Sequence, residues 1–172
     1  MSTPGRHVAA ALLVTPDGRY LMQHRDDFPH IMLPGHWACF GGAIEPGETP
    51  EAALRRELEE EIEFRARDVA AFTEMAVLLP LDPPRRDRMS FFAVPILASD
   101  LDRMVLREGQ GKALFTPEAL AAEPRVAPWD LAAVLMHARQ RALFPRSSPA
   151  PPCRSAPSAV SPAHSQAIAW PG

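Results

Sequence analysis

Apolar and polar positions along residues 7–143 follow the two-residue period of strands in some segments and the longer period of helices in others. The segments His7–Val14 and Tyr20–His24 flank the turn sequence Thr-Pro-Asp-Gly, and together they predict a β-hairpin. Further strands are predicted at residues 36–40, 71–79, 89–97 and 112–115. Helices are predicted at Pro50–Ile62, Pro117–Ala122 and Pro128–Leu143. This order predicts an α/β protein in which helices cover both faces of a mixed sheet.

Capping residues support the predicted helices. Thr49 precedes Pro50 and Thr116 precedes Pro117, so each helix starts with a side chain that can accept a backbone N–H bond and a proline that needs none. The last helix is amphipathic, and its expected buried face consists of Leu131, Val134, Leu135 and Ala138.

The chain changes character at Pro145. Residues 145–172 contain seven of the 20 prolines and many Ser and Ala, but no Asp or Glu. Such a segment buries too little apolar surface to offset the entropy of ordering, so it is predicted to be a mostly disordered tail. The predicted folded domain is residues 1–144.

Composition narrows the functional classes. Cys39 and Cys153 cannot build a disulfide framework, which favours a reducing, cytoplasmic setting. The longest apolar run, residues 8–14, is far shorter than the roughly 20 residues of a membrane span, and no signal peptide is recognisable. The net charge of −3 becomes −5 without the two tail arginines. Neither membrane insertion nor nucleic-acid binding through bulk charge is therefore expected.

Acidic residues concentrate in the first predicted helix and the loop before it. Residues 45–63 contain eight Glu and only two Arg. Glu57, Glu60 and Glu61 are spaced i, i+3 and i+4, so their carboxylates share one helix face and repel one another. A hard cation such as Mg²⁺ would neutralise them, and Gly41-Gly42 lets the backbone approach such a cation. The alternative is an acidic face that is merely solvated.

The same segment resembles the signature of a known family. Gly42, Glu48, Arg56-Glu57-Leu58 and Glu60-Glu61 occupy the fixed positions of the Nudix box, G-x(5)-E-x(7)-R-E-U-x-E-E-x-G-U, where U is bulky and aliphatic. Two positions depart from it, because Glu63 stands in the Gly slot and Phe64 in the last U slot. Glu63 must either adopt a left-handed backbone or let the helix continue.

The resemblance implies an α/β/α sandwich that hydrolyses a nucleoside diphosphate linked to another group X. By the same resemblance, Glu57, Glu60, Glu61 and the Gly42 carbonyl would bind Mg²⁺, or Mn²⁺ in its place. Arg56 would orient the acids by pairing with Glu48. The general base would be a Glu of the box, such as Glu57, or Glu108 on a later glycine-flanked loop. Glu108 is equally explained as an ordinary loop acid.

Several residues outside this signature are further candidates for a functional role. Arg25 ends the second strand and would contact the substrate phosphate or lie free at the surface. Trp37 and Phe40 would stack on a base or pack in the core, whereas Cys39 is expected to be a buried structural thiol. His24, His30 and His36 match no common metal-site spacing.

Three other functions compete with a nucleotide hydrolase. They are a non-catalytic nucleotide sensor on the same fold, a related isoprenoid isomerase and a protein-interaction module. The expected partner is a small nucleotide-type molecule, whose identity the sequence does not specify. The family resemblance also implies a homodimer, because members of the family often dimerise.

Overall fold

The computed structural model describes residues 5–145, which form seven strands and four helices. The strands are β1 His7–Val14, β2 Tyr20–His24, β3 Trp37–Ala38, β4 Phe40–Ala43, β5 Ala70–Leu79, β6 Arg85–Pro95 and β7 Gly111–Phe115. The helices are α1 Pro50–Ile62, α2 Ala98–Leu101, α3 Pro117–Ala122 and α4 Pro128–Leu143. Apart from Pro145, the predicted tail lies outside the described residues.

All seven strands belong to one mixed sheet. Five of them follow the order β3-β2-β1-β6-β5, while β4 also pairs with β1 and β7 with β2. The pairing of β1 with β6 is parallel and every other pairing of these strands is antiparallel. The β1–β2 hairpin is confined to the Val14–Tyr20 end, because β4 pairs with β1 from Val8 to Ala11.

Two apolar cores lie on opposite faces of the sheet. Leu54, Leu58 and Ile62 of α1 pack on one face with inward residues of β1, β4 and β6. On the other face, Leu120 of α3 and Val134 of α4 pack against the alternate residues of the strands. This arrangement confirms the predicted three-layer α/β/α sandwich, with the acidic helix as one outer layer.

The strand boundaries correct the sequence prediction in two places. The single strand expected at residues 36–40 is two strands, and β4 continues through Gly41 and Gly42 instead of ending before them. The break falls at Cys39, where the backbone N–H donates to Asp130 rather than to a neighbouring strand. Strand β6 spans Arg85–Pro95 and not residues 89–97, because its four charged first residues, 85–88, also pair with β5.

Helix predictions are confirmed at α3 and α4, with one error on the buried face of α4. Leu135 remains 39% exposed, while Ala133 and His137 are buried. The face of α4 on the sheet is thus centred on Val134 and includes a histidine, which hydrophobicity alone does not predict. The four-residue helix α2 has no counterpart in the prediction.

None of the helices in residues 5–145 combines the length and the apolar character that a membrane crossing requires.

Candidate active site

Helix α1 presents the acidic residues, and its two ends fix their position. The Thr49 side chain accepts the Ala52 N–H at 3.2 Å, and Pro50 takes the first helical position, as predicted. At the other end Glu63 adopts a left-handed conformation with φ 51°. Its N–H donates to the Glu59 carbonyl and that of Phe64 to the Leu58 carbonyl, which closes the helix although no glycine is present. Of the two expected outcomes for Glu63, the left-handed one occurs.

Arg56 connects the acidic side chains. Its Nε donates to Glu48 Oε1 at 2.9 Å, and its Nη1 donates to Glu57 Oε1 at 2.8 Å and to Glu60 Oε2 at 3.1 Å. A further bond from Nη2 reaches the Ala43 carbonyl of β4. The guanidinium holds the pKa of Glu48 below its ordinary value through hydrogen bonding. The predicted Arg56–Glu48 pair is therefore present, and it ties the start of α1 to the acids.

Glu61 is the buried member of the acidic group, with 4% of its surface exposed. Its Oε2 accepts the Gly41 N–H at 2.8 Å, and its Oε1 accepts the Gln23 side-chain amide at 3.3 Å. Burial raises the pKa of Glu61 to about 8, with further contributions from the charges of Glu108 and Glu57, while the two hydrogen bonds oppose the shift.

The two glycines of β4 give the acids their close contact with the sheet. Gly41 has φ 134°, and a Cβ there would lie 2.1 Å from the Ala9 carbonyl oxygen. A Cβ on Gly42 would lie 2.4 Å from both Cδ and Oε1 of Glu57. Only glycine therefore permits the Glu57 carboxylate to lie directly against the β4 backbone.

Glu57 and Glu108 belong to the same electrostatic cluster. Burial raises the pKa of Glu57, and the charges of Glu60 and Glu108 add to the increase against the opposing effect of Arg56. Glu108 is exposed on the loop before β7. Its charge also raises the pKa of Glu61. The structure thus brings Glu48, Arg56, Glu57, Glu60, Glu61, Gly42 and Glu108 into one region.

The donor set of this region suits a hard divalent cation. Carboxylates and a backbone carbonyl are the oxygen ligands that Mg²⁺ and Mn²⁺ accept. Within residues 5–145, however, no three His, Cys, Asp or Glu side chains converge as a preformed metal site. The reason lies in the contacts above, since Glu57 and Glu60 face Arg56 while the oxygens of Glu61 face neutral donors. The residues fit a cation, but binding one requires these carboxylates to reorient.

Arg25 lies apart from the acids in its hydrogen bonding. Its Nε donates to the Met32 carbonyl at 3.1 Å, and its backbone N–H donates to the His36 carbonyl. No ion pair connects it to the acidic group within the described part of the chain.

Phe40 and Cys39 are core residues, with 0% and 6% of their surface exposed. Trp37 is half-buried, with its ring stacked on His24 at 4.7 Å and edge-on to Phe115 at 4.9 Å. Trp37 and Phe40 are therefore both packing residues in this structure.

The sequence interpretation missed Gln23. Gln23 lies two residues after Leu21 in β2, so its side chain is on the same, core-facing side of the strand. A polar residue at a core-facing position of a strand is the signal by which the sequence could have indicated it. Its 2% exposure and its bond to Glu61 place it directly beneath the acidic group.

Comparison with known proteins defines the family. The model of the NUDIX domain matches residues 4–146, so the chain belongs to the NUDIX domain family. Among curated relatives, the nucleoside triphosphatase NudI of Escherichia coli is 48% identical over 50 residues. That match covers 29% of this chain and about a third of the length of NudI (35%).

Solved structures agree on the fold. A MutT protein from Methanosarcina mazei superposes with a TM-score of 0.69 at 16% identity, covering 82% of this chain and 98% of that one. The ORF135 protein of E. coli superposes with a TM-score of 0.66 at 24% identity, covering 85% of this chain and 96% of the other.

Proposed function

We propose that this protein is a divalent-metal-dependent pyrophosphohydrolase that cleaves a nucleoside diphosphate linked to another group X. The observation that carries the proposal is a group of four acids in which Glu57 and Glu61 lie against the Gly41–Gly42 backbone and Glu60 and Glu108 are near enough to raise the pKa of Glu57. Arg56 is their only ion-pair partner among the described residues. Such a concentration of like charge is costly unless a cation offsets it. Membership of the NUDIX domain family gives independent support.

Glu57, Glu60, Glu61 and the Gly42 carbonyl would hold Mg²⁺, or Mn²⁺ in its place. The cation supplies positive charge that polarises the phosphate oxygens and offsets the charge that develops at phosphorus. Arg56 is the counterpart on the protein side, because its bonds to Glu48 and to Ala43 of β4 leave it fixed while the carboxylates of Glu57 and Glu60 reorient.

The reaction is attack of water on phosphorus. A new P–O bond forms, the bond from phosphorus to the bridging oxygen breaks, and the leaving phosphate departs with that oxygen. The water proton goes to a carboxylate, for which Glu57 and Glu108 are the candidates. The raised pKa of Glu57 is consistent with a proton acceptor, whereas exposure of Glu108 allows it to reach a bound substrate. Arg25 would contact substrate phosphate only if its side chain leaves Met32.

Among possible substrates, a nucleoside triphosphate has the best support, since NudI is named a nucleoside triphosphatase. A triphosphate is a nucleoside diphosphate in which X is phosphate. Nucleotide sugars such as ADP-ribose, dinucleoside polyphosphates and oxidised triphosphates are the other classes to compare.

Glu57→Gln tests the function, with Glu59→Gln as its matched control. Glu59 is on the same helix but is exposed and pairs with Arg65, so its neutralisation leaves the acidic group intact. In a panel of nucleotides with Mg²⁺, the wild type and Glu59→Gln should release phosphate or pyrophosphate at similar rates. Glu57→Gln should be slower by about 100-fold or more.

Two results would contradict the proposal, one its enzymatic activity and the other the role of the acidic group. Absence of cleavage by the wild type across the panel, with nucleotide binding retained, would favour the non-catalytic sensor. Equal rates for Glu57→Gln and Glu59→Gln would show that the acidic group takes no part in the reaction.

A further inference from the structure

Gln23 places a buried amide between two acidic residues. Its Nε2 donates to Glu61 Oε1 at 3.3 Å and to the Glu108 backbone carbonyl at 3.2 Å. A glutamine amide has two N–H donors, so one hydrogen is available for each oxygen. With only 2% of its surface exposed, the amide has little water to replace either bond.

With the bond from Gln23, each carboxylate oxygen of Glu61 has an uncharged hydrogen-bond donor. The other carboxylate oxygen accepts the Gly41 N–H, so β2 and β4 each hold one oxygen. No ion pair to Glu61 exists within the described residues. The direction of this carboxylate therefore depends on two uncharged donors.

For Glu108 the same amide fixes the backbone of its loop. On either side of Glu108, the Arg107 N–H donates to the Glu61 carbonyl at 2.7 Å and the Gly109 N–H donates to Asp26 Oδ2 at 3.3 Å. Gln23 holds the carbonyl between them. The loop that carries Glu108 is thus attached to the end of α1 and to β2.

We infer that Gln23 is a positioning residue that fixes the Glu61 carboxylate and the Glu108 loop relative to each other, a role that rests on the proposed function. A neutral donor suits this position chemically. A lysine or arginine would compete with a divalent cation for Glu61, and a carboxylate would add to the repulsion. An apolar side chain would leave both acceptors without a partner.

Gln23→Met tests the role, because Met has a similar length and no N–H donor. With nucleotide and Mg²⁺, kcat should fall about 10-fold while KM changes by less than about twofold. Binding of Mn²⁺ to the nucleotide-free protein, followed by electron paramagnetic resonance, should weaken by about threefold or more. Gln140→Met on the exposed side of α4 makes the same chemical change far from the acids and should alter neither quantity. If Gln23→Met does not fold, Gln23→Asn serves instead, since its amide is too short to reach both acceptors.

A double-mutant cycle with Glu108→Gln distinguishes a positioning role of Gln23 from a general structural effect of its substitution. If Gln23 acts through Glu108, the loss of kcat caused by Gln23→Met should be at least about threefold smaller in the Glu108→Gln background. An equal loss in both backgrounds would overturn the inference, and so would a kcat of Gln23→Met within about twofold of the wild type.

Failure of the proposed function is distinguishable from failure of this inference. A wild type that cleaves no nucleotide overturns the function, and the Mn²⁺ titration then decides the inference by itself. Equal Mn²⁺ affinity of the wild type and Gln23→Met would overturn the placement of Glu61, and weaker binding by Gln23→Met would support it.

Discussion

At the scale of single residues, Asp130 is a buried carboxylic acid that lies outside the acidic group. It lies near the start of α4 with 4% of its surface exposed, and its Oδ2 accepts the Cys39 N–H at 2.9 Å. Burial raises the pKa of Asp130 to about 7, although the Cys39 N–H and the charge of Arg25 oppose the shift. Asp130 is thus protonated in the folded protein under conditions in which the unfolded chain ionises it.

This difference predicts a pH dependence of stability. Because the folded pKa lies above the unfolded value of 3.8, the contribution of Asp130 is complete below about pH 4 and is lost as pH rises through about 7. Asp130→Asn keeps an oxygen for the Cys39 N–H and does not titrate. Relative to this variant, the free energy of unfolding of the wild type should fall by about 1 kcal/mol per pH unit across that range.

Urea unfolding of both proteins at intervals from pH 4 to pH 8 measures the effect. Parallel stability profiles of the wild type and Asp130→Asn would contradict the assigned pKa.

Sequence reasoning at this scale succeeds where geometry is local. The spacing of Glu57, Glu60 and Glu61 within one helical turn predicts that they project together, since helix geometry depends only on neighbours along the chain. The contacts of Gln23 with Glu61 and of Asp130 with Cys39 span 38 and 91 residues, respectively. Such contacts follow from how strands and helices pack, so no local pattern contains them.

At the scale of elements, the C-terminus of α1 shows how a helix ends without the glycine that the family signature expects. Glu63 adopts φ 51° and also forms an ion pair with Arg107. A left-handed backbone costs a non-glycine residue about 1 kcal/mol. An exposed ion pair returns only about 0–1 kcal/mol. The helix end is therefore held mainly by its two backbone bonds and by Phe64, which is buried in the core.

Comparing Glu63→Gly with Glu63→Ala isolates the backbone cost. Both variants lose the ion pair with Arg107, and only glycine relieves the left-handed strain. The free energy of unfolding of Glu63→Gly should exceed that of Glu63→Ala by about 1 kcal/mol. Chemical denaturation at neutral pH gives both values. If the two variants are equally stable, the helix does not end in the left-handed conformation.

Element boundaries were predictable to different degrees for physical reasons. The start of α3 follows from Pro117 and the Thr116 cap, and that of α4 from Pro128, signals that act within one turn. The start of β6 does not, because its polar first residues become strand only by pairing with β5. Likewise Gly41 and Gly42 disfavour a strand by propensity, yet pairing with β1 makes them one.

At the scale of the whole molecule, the sheet order sets the position of the acidic helix. Strand β1 is central, pairing with β4 on one side and in parallel with β6 on the other. Its partners come from chain segments that are far apart, which is why the sequence predicts a mixed sheet but not its order. The result is that α1 packs over β1 and β4, directly above Gly41 and Gly42.

Charge is also a property of the whole molecule that predicts how the protein responds to cations. Glu57, Glu60, Glu61 and Glu108 influence one another electrostatically, so a cation that binds only the folded protein should stabilise it. A ligand present at 100 times its dissociation constant adds about 2.7 kcal/mol to the free energy of unfolding. For a domain of this size that corresponds to an increase in Tm of several degrees, about 5 °C or more.

The specific effect must be separated from screening, because any salt weakens repulsion between exposed charges. Thermal unfolding with MgCl₂ or MnCl₂ is therefore compared with NaCl at equal ionic strength. The divalent cation should raise Tm of the wild type and Glu59→Gln alike and raise that of Glu57→Gln much less, since only Glu57 lies against the Gly42 backbone. An equal increase in Tm of all three proteins would show that the acidic residues of α1 are merely solvated and bind no cation. A smaller increase in Glu57→Gln alone would mean that the acidic cluster, which opposes folding in the free protein, contributes to stability once a cation is bound.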